Sequence, residues 1–125
     1  MLMDSLIIEP TPETPKVNFD ATSGRLCISG RSLPEDAIAY YKKLFDWLDK
    51  YSKQPRSATL LDVNLEYYNT ATSKQIYKIL CLLEELNKKS KVEVNWTYNK
   101  EDSDMLAQGE RLSKLVILKF NLIEN

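Results

Sequence analysis

Histidine is missing from the 125 residues. Its absence removes every Ser-His or Cys-His nucleophile pairing and every histidine-ligated metal, because no side chain present can play those parts. Glycine is nearly as scarce. Gly24, Gly30 and Gly109 are the complete set, so no glycine-rich loop exists to cradle a nucleotide phosphate. Cys27 and Cys81 stand far apart and form no Cys-x-x-Cys. A zinc or dithiol site therefore has no support, and the two residues read as core thiols in a reducing compartment. Neither sign of charge dominates, with 17 basic and 18 acidic residues and a net charge of -1. A duplex-binding protein carries a basic surplus, so nucleic acid is not an expected partner. No apolar run approaches the roughly 20 residues that span a bilayer, and Met1-Leu2-Met3-Asp4-Ser5 has no basic stretch ahead of an apolar one. The expectation is a cytoplasmic protein without membrane insertion, cofactor, metal or catalytic residues.

What is present is an ordinary globular balance, 43% apolar and 28% charged, in a length that suits one domain over residues 1–125. Leu6 to Glu9 reads as a short strand, broken by Pro10, Pro12 and Pro15. Val17–Asp20 and Arg25–Gly30 alternate around Ala21-Thr22-Ser23-Gly24, the pattern of an antiparallel hairpin. Ser32 ahead of Pro34-Glu35-Asp36 signals a helix start. Ala37, Tyr41, Leu44, Leu48 and Tyr51 then recur at helical spacing. A strand follows over Ala58 to Leu65, with Leu61, Val63 and Leu65 on one face. The helical period returns from Thr72 to Lys89, then Val92, Val94 and Trp96 mark a strand. A shorter helix over Asn99 to Lys114 and a last strand over Leu115 to Phe120 complete the chain. The order β-β-β-α-β-α-β-α-β calls for an α/β domain with a mixed β-sheet, an N-terminal hairpin and three helices.

Most chemical motifs dissolve on inspection. Glu101-Asp102-Ser103-Asp104 lacks the glycine and glutamate of a calcium loop, Ala107 and Ser113 standing in their places, and reads as the acidic first turn of a helix. Asp62 and Glu66 read as the solvated face of a strand rather than an acid–base pair. Tyr40, Tyr41, Phe45, Trp47 and Tyr51 have the spacing of a helix core.

One cluster stands out. Tyr68-Asn69-Thr70-Ala71-Thr72-Ser73-Lys74 lies where a strand gives way to a helix, setting three hydroxyls at or near a helix N-terminus. Free N–H groups and the helix dipole favour negative charge there. Asn69 or Thr70 serves as a cap, or a hydroxyl is a site where phosphate is written; the two roles are compatible. A phosphate on Thr70 would add nearly two negative charges at neutral pH. Lys74, one turn on, could approach it, while a docked partner would meet new bulk and charge.

Thr14-Pro15-Lys16-Val17-Asn18-Phe19-Asp20, Gly24-Arg25-Leu26 and Gly30-Arg31-Ser32-Leu33-Pro34-Glu35-Asp36-Ala37 resemble the SiaC family of bacterial regulatory phosphoproteins. So do Asp46-Trp47-Leu48, Leu65-Glu66-Tyr67-Tyr68-Asn69-Thr70, Ser73-Lys74 and Asn95-Trp96-Thr97-Tyr98. The likeness runs from Ile8 to Phe120 in the family's order. It implies a STAS-like fold, that of anti-sigma factor antagonists. It also implies a threonine phosphorylated by a cognate protein kinase and released by a PP2C-like phosphatase. In such proteins the unmodified form binds and activates a diguanylate cyclase, promoting cyclic-di-GMP synthesis and with it aggregation or biofilm formation. The modified threonine falls on Thr70. Ala71 stands where the family often has serine, which makes Thr72 and Ser73 the alternate acceptors. The partner-binding residues become Tyr68, Asn69, Thr70, Ala71, Ser73 and Lys74. Two rivals accompany this reading: an anti-sigma factor antagonist working by partner switching, and a small ligand-binding module with a deep pocket lined by Tyr67, Tyr68 and Trp96.

Overall fold

Alternation of apolar and polar residues builds one side of a sheet, and helical stripes cover it. The computed structural model describes residues 3–125; Met1 and Leu2, which open the N-terminal pentapeptide, lie outside them. The elements are β1 (Leu6–Ile8), β2 (Lys16–Asp20), β3 (Arg25–Ser32), α1 (Ala37–Tyr51), β4 (Ala58–Tyr68), α2 (Thr70–Leu86), β5 (Lys91–Tyr98), α3 (Ser103–Leu115) and β6 (Lys119–Glu124). Their six strands form a mixed sheet in sequential order, β1 to β6. The β1–β2 and β2–β3 pairs are antiparallel, and β3–β4, β4–β5 and β5–β6 are parallel. The expected α/β class, hairpin start and three helices are what the structure contains.

Sequential order with crossovers of one hand puts α1, α2 and α3 on the same face of the sheet. Beneath them, Phe19, Leu26, Leu61 and Val94 follow one another through the strand register and are each fully buried. The opposite face carries the matching polar row, Asn18, Cys27, Asp62, Asn95 and Asn121. Asn95 donates to Asp62 at 3.0 Å and Asn121 donates to Asn95 at 2.9 Å. Arg25 also pairs with Asp62. A sheet face satisfied in this way can stay open to solvent.

Four local expectations shift. Ser32 does not start α1; Asp36 does, its carboxylate accepting from the Ala39 amide. Ser32 is instead sealed at the end of β3. The two cysteines are half-buried free thiols rather than core residues. Cys27 falls between the inward residues Leu26 and Ile28, so strand alternation turns it to the open face. The segment from Leu115 to Phe120 is not the last strand, because α3 runs through Leu115 and Val116 ends it in extended backbone. A short apolar run suits a helix end and a strand equally. The strand begins at Lys119 and sets Phe120 and Leu122 beside Val94 and Trp96. Finally, α2 starts two residues before Thr72 and stops at Leu86, with Asn87 as C-cap, so Lys88 and Lys89 lie just beyond it.

Candidate functional site

The end of β4 does not follow simple alternation. Gly30 pairs with Leu65, but Arg31 pairs with Tyr67, so Glu66 is an extra residue in β4. Gly30 has φ of 102°, a left-handed conformation that side chains other than glycine's resist. Such a bulge resets which residues face inward. After Leu65 it is Tyr68 that turns toward the helices, while Tyr67 stays outside with Arg31 stacked over its ring. Tyr68 meets Trp96 edge to face at a centroid distance of 6.1 Å. Tyr67, Tyr68 and Trp96 are therefore divided rather than gathered as pocket walls: the first is exposed and the other two are packed together in the core.

The chain then turns into α2. Asn69 caps the helix, its side chain accepting from the Thr72 amide at 2.9 Å and its carbonyl from the Ser73 amide at 3.1 Å. The Thr70 and Ala71 amides have no acceptor among the described residues, leaving free donors at the positive end of the helix.

The three hydroxyls meet different fates. Thr70 is exposed and Ser73 half-buried. Thr72 is fully buried, donating to the Ser32 carbonyl at 3.0 Å and sharing a 2.9 Å hydrogen bond with the Ser32 hydroxyl. Ser32 Oγ also lies 2.8 Å from the Tyr41 hydroxyl, and the Ser32 carbonyl accepts from the Asn69 amide at 3.1 Å. This buried cluster ties the first turn of α2 to β3 and α1. It also leaves Thr72 no oxygen to offer an outside enzyme. Burial pushes the Tyr41 hydroxyl up to about 12, against the pull of Ser32 and Thr72.

Around Thr70, Ala71 and Lys74 are exposed, and Lys74 enters no ion pair among the described residues. A cleft of about 280 Å³ beside the helix start is lined by Tyr68, Asn69, Thr70, Ser73, Gln108 and Arg111. Gln108 and Arg111 come from α3, some 40 residues downstream, with no local sequence signal to mark them. On its other flank α2 forms an apolar groove with α1, lined by Ile38, Ala39, Phe45, Gln75, Cys81 and Leu82 among others. Ile38 is 71% exposed and Leu82 42%. The expected site residues thus come together at one helix end, Tyr68 from below and Lys74 one turn along the solvent face. No helix among the described residues is long and apolar enough to cross a membrane.

Comparison with known proteins bears on this geometry. A family model described as SiaC family regulatory phosphoprotein matches residues 8–125. An uncharacterized protein of Pseudomonas aeruginosa (strain UCBPP-PA14) is 32% identical over 109 residues, covering 86% of each chain. SiaC of Pseudomonas aeruginosa has a similar solved structure, with TM-score 0.89, 27% identity, and coverage of 98% of this chain and 100% of that one. A further structure, of the diguanylate cyclase SiaD in complex with its activator SiaC from the same organism, contains a chain matching with TM-score 0.89. That match has 27% identity and covers 96% of this chain and 99% of the other.

Proposed function

The chain belongs to the SiaC family of regulatory phosphoproteins, and on that premise we propose that it is a one-domain, non-catalytic phospho-switch that activates a diguanylate cyclase in the cytoplasm. A cognate protein kinase phosphorylates Thr70, and a PP2C-like phosphatase reverses it. The unmodified form binds the cyclase and raises cyclic-di-GMP synthesis, driving aggregation or biofilm growth. The similar chain in complex with a cyclase it activates supports the partner class.

The observation that carries the acceptor is the contrast along one helix turn: Thr70 is exposed beside free amides, while Thr72 is sealed. Ser73, half-buried, stays as the alternate acceptor. The partner surface is the helix start, with Tyr68 beneath it and Asn69, Thr70, Ala71, Ser73 and Lys74 around it. It continues into the apolar groove between α1 and α2, where Gln75 lies one turn beyond Ala71.

Phosphate on Thr70 blocks that surface by bulk and charge. A contact of about 3 kcal/mol lost in this way weakens binding by roughly two orders of magnitude. A titration of the cyclase tests it with unmodified protein, phosphorylated protein, Thr70→Ala and Thr70→Asp. The alanine variant binds like the unmodified form, and aspartate blocks only in part, since it brings less charge and fewer acceptor oxygens. Equal affinity of the phosphorylated and unmodified forms overturns the reading.

A further inference from the structure

The cleft between the start of α2 and the face of α3 contains a group that the switch as described leaves unused. Tyr68 is 8% exposed, and its hydroxyl is a buried side-chain oxygen without a hydrogen-bond partner. A buried hydroxyl left without a partner costs stability, so one retained in a fold calls for an explanation. Burial pushes it up to about 12, while the Arg111 charge, on the same cleft, pulls the other way. Arg111 forms no salt bridge among the described residues. The cleft's remaining lining is Asn69, Thr70, Ser73 and Gln108, without a carboxylate. The unpaired Thr70 and Ala71 amides stand at the same helix end. Donors, one unpaired cation and no acid are the chemistry of an oxyanion seat.

We propose that this cleft binds, in cis, the phosphoryl group carried by Thr70. Arg111 is its charged anchor, and Tyr68, Ser73 and Gln108 are hydrogen-bonding walls. The proposal rests on the reading that Thr70 is the acceptor and adds the element that holds the modified state. Seated between α2 and α3, the phosphate has part of its charge balanced by Arg111 while its bulk and remaining charge still confront a docking partner, and a phosphatase has to draw it out of the Arg111 fork before hydrolysis. Arg111 thereby sets the lifetime of the blocked form.

The test places phosphothreonine at position 70 during synthesis, so that no kinase is needed, and follows the phosphorus resonance by NMR through a pH titration. The chain has no histidine, which leaves no side chain with an ordinary pKa near 6 to confuse the reading. Arg111 lines the cleft from α3, and Lys74 lies outside its lining, one turn along α2. In the otherwise native protein, the second phosphate ionisation is expected about 0.5–1 unit below its usual value of about 6. Arg111→Gln returns it to the value of a phosphothreonine peptide, Arg111→Lys recovers part of the shift, and Lys74→Ala changes it less than Arg111→Gln does. Tyr68→Phe gives a smaller loss with the fold intact. An ionisation equal to the free peptide's, or one unchanged by Arg111→Gln, overturns the proposal. If the phosphate is seated as expected while the cyclase binds that protein undiminished, the cis site stands and the blocking function falls.

Discussion

Tyr68 and Thr72 lie four residues apart with both hydroxyls buried, yet only Thr72 has partners for its own. Removing each hydroxyl therefore has opposite consequences in the unmodified protein. Thr72→Val strips Ser32 of a partner in a sealed site and lowers stability by about 1–3 kcal/mol. Tyr68→Phe removes an unsatisfied oxygen and leaves stability unchanged or about 1 kcal/mol higher. Urea midpoints of the two variants at constant slope check both. A destabilised Tyr68→Phe would mean the hydroxyl already has a partner. The sequence pointed to this turn of chain as the candidate site but could not rank its hydroxyls by burial. Ranking them needs Ser32, 40 residues earlier, which reads locally as a helix cap and serves instead as the bolt beneath Thr72.

Elements were legible wherever period and length agreed. Tyr41, Leu44 and Leu48 declare α1, and Ile76, Ile79 and Leu83 declare α2, because a 3.6-residue stripe has no strand counterpart. The bulge at Glu66 and the start of β6 were not. The first depends on pairing with β3, and the second on which neighbour claims Leu115 to Leu118. Contact between α3 and β5 was equally hidden. Trp96 donates its indole N–H to the Met105 carbonyl at 3.0 Å, and a Cβ at Gly109 would lie 2.5 Å from the Trp96 ring. Gly109 thus has its place through closeness of approach, not backbone freedom. Gly109→Ala is expected to cost about 1–3 kcal/mol by forcing α3 off the sheet. Thermal unfolding with near-ultraviolet dichroism of Trp96 reads both the loss and the displacement. An unshifted midpoint would show that the ring yields without strain.

For the whole molecule, the proposed docking surface lies on the helical side of the sheet, away from the polar row of Asp62 and Asn95. Ile38→Asp, on the groove between α1 and α2, is expected to weaken the cyclase about tenfold or more. Its thermal midpoint should change little, since the side chain is mostly exposed. Unchanged affinity would confine docking to the helix start. Alkaline pH acts on the fold as a whole. Burial raises Tyr41 and Tyr68 from 10.0 to about 12. The folded state keeps protons that the unfolded chain releases, so their contribution is complete below pH 10 and is lost as pH climbs towards 12. Denaturant unfolding across that interval should show a falling midpoint, less steep in Tyr41→Phe. A midpoint flat from pH 9 to 12 would contradict the burial of these hydroxyls.

Because Ser32 clamps the first turn of α2 from within, adding a charge at its rim gives the helix no hinge on which to swing. On the proposed reading, the phosphorylated and unmodified forms then share one skeleton and differ in their outer skin. Whatever reads the signal has to feel texture and charge rather than shape. Amide spectra of the two forms would differ in a small patch and coincide elsewhere.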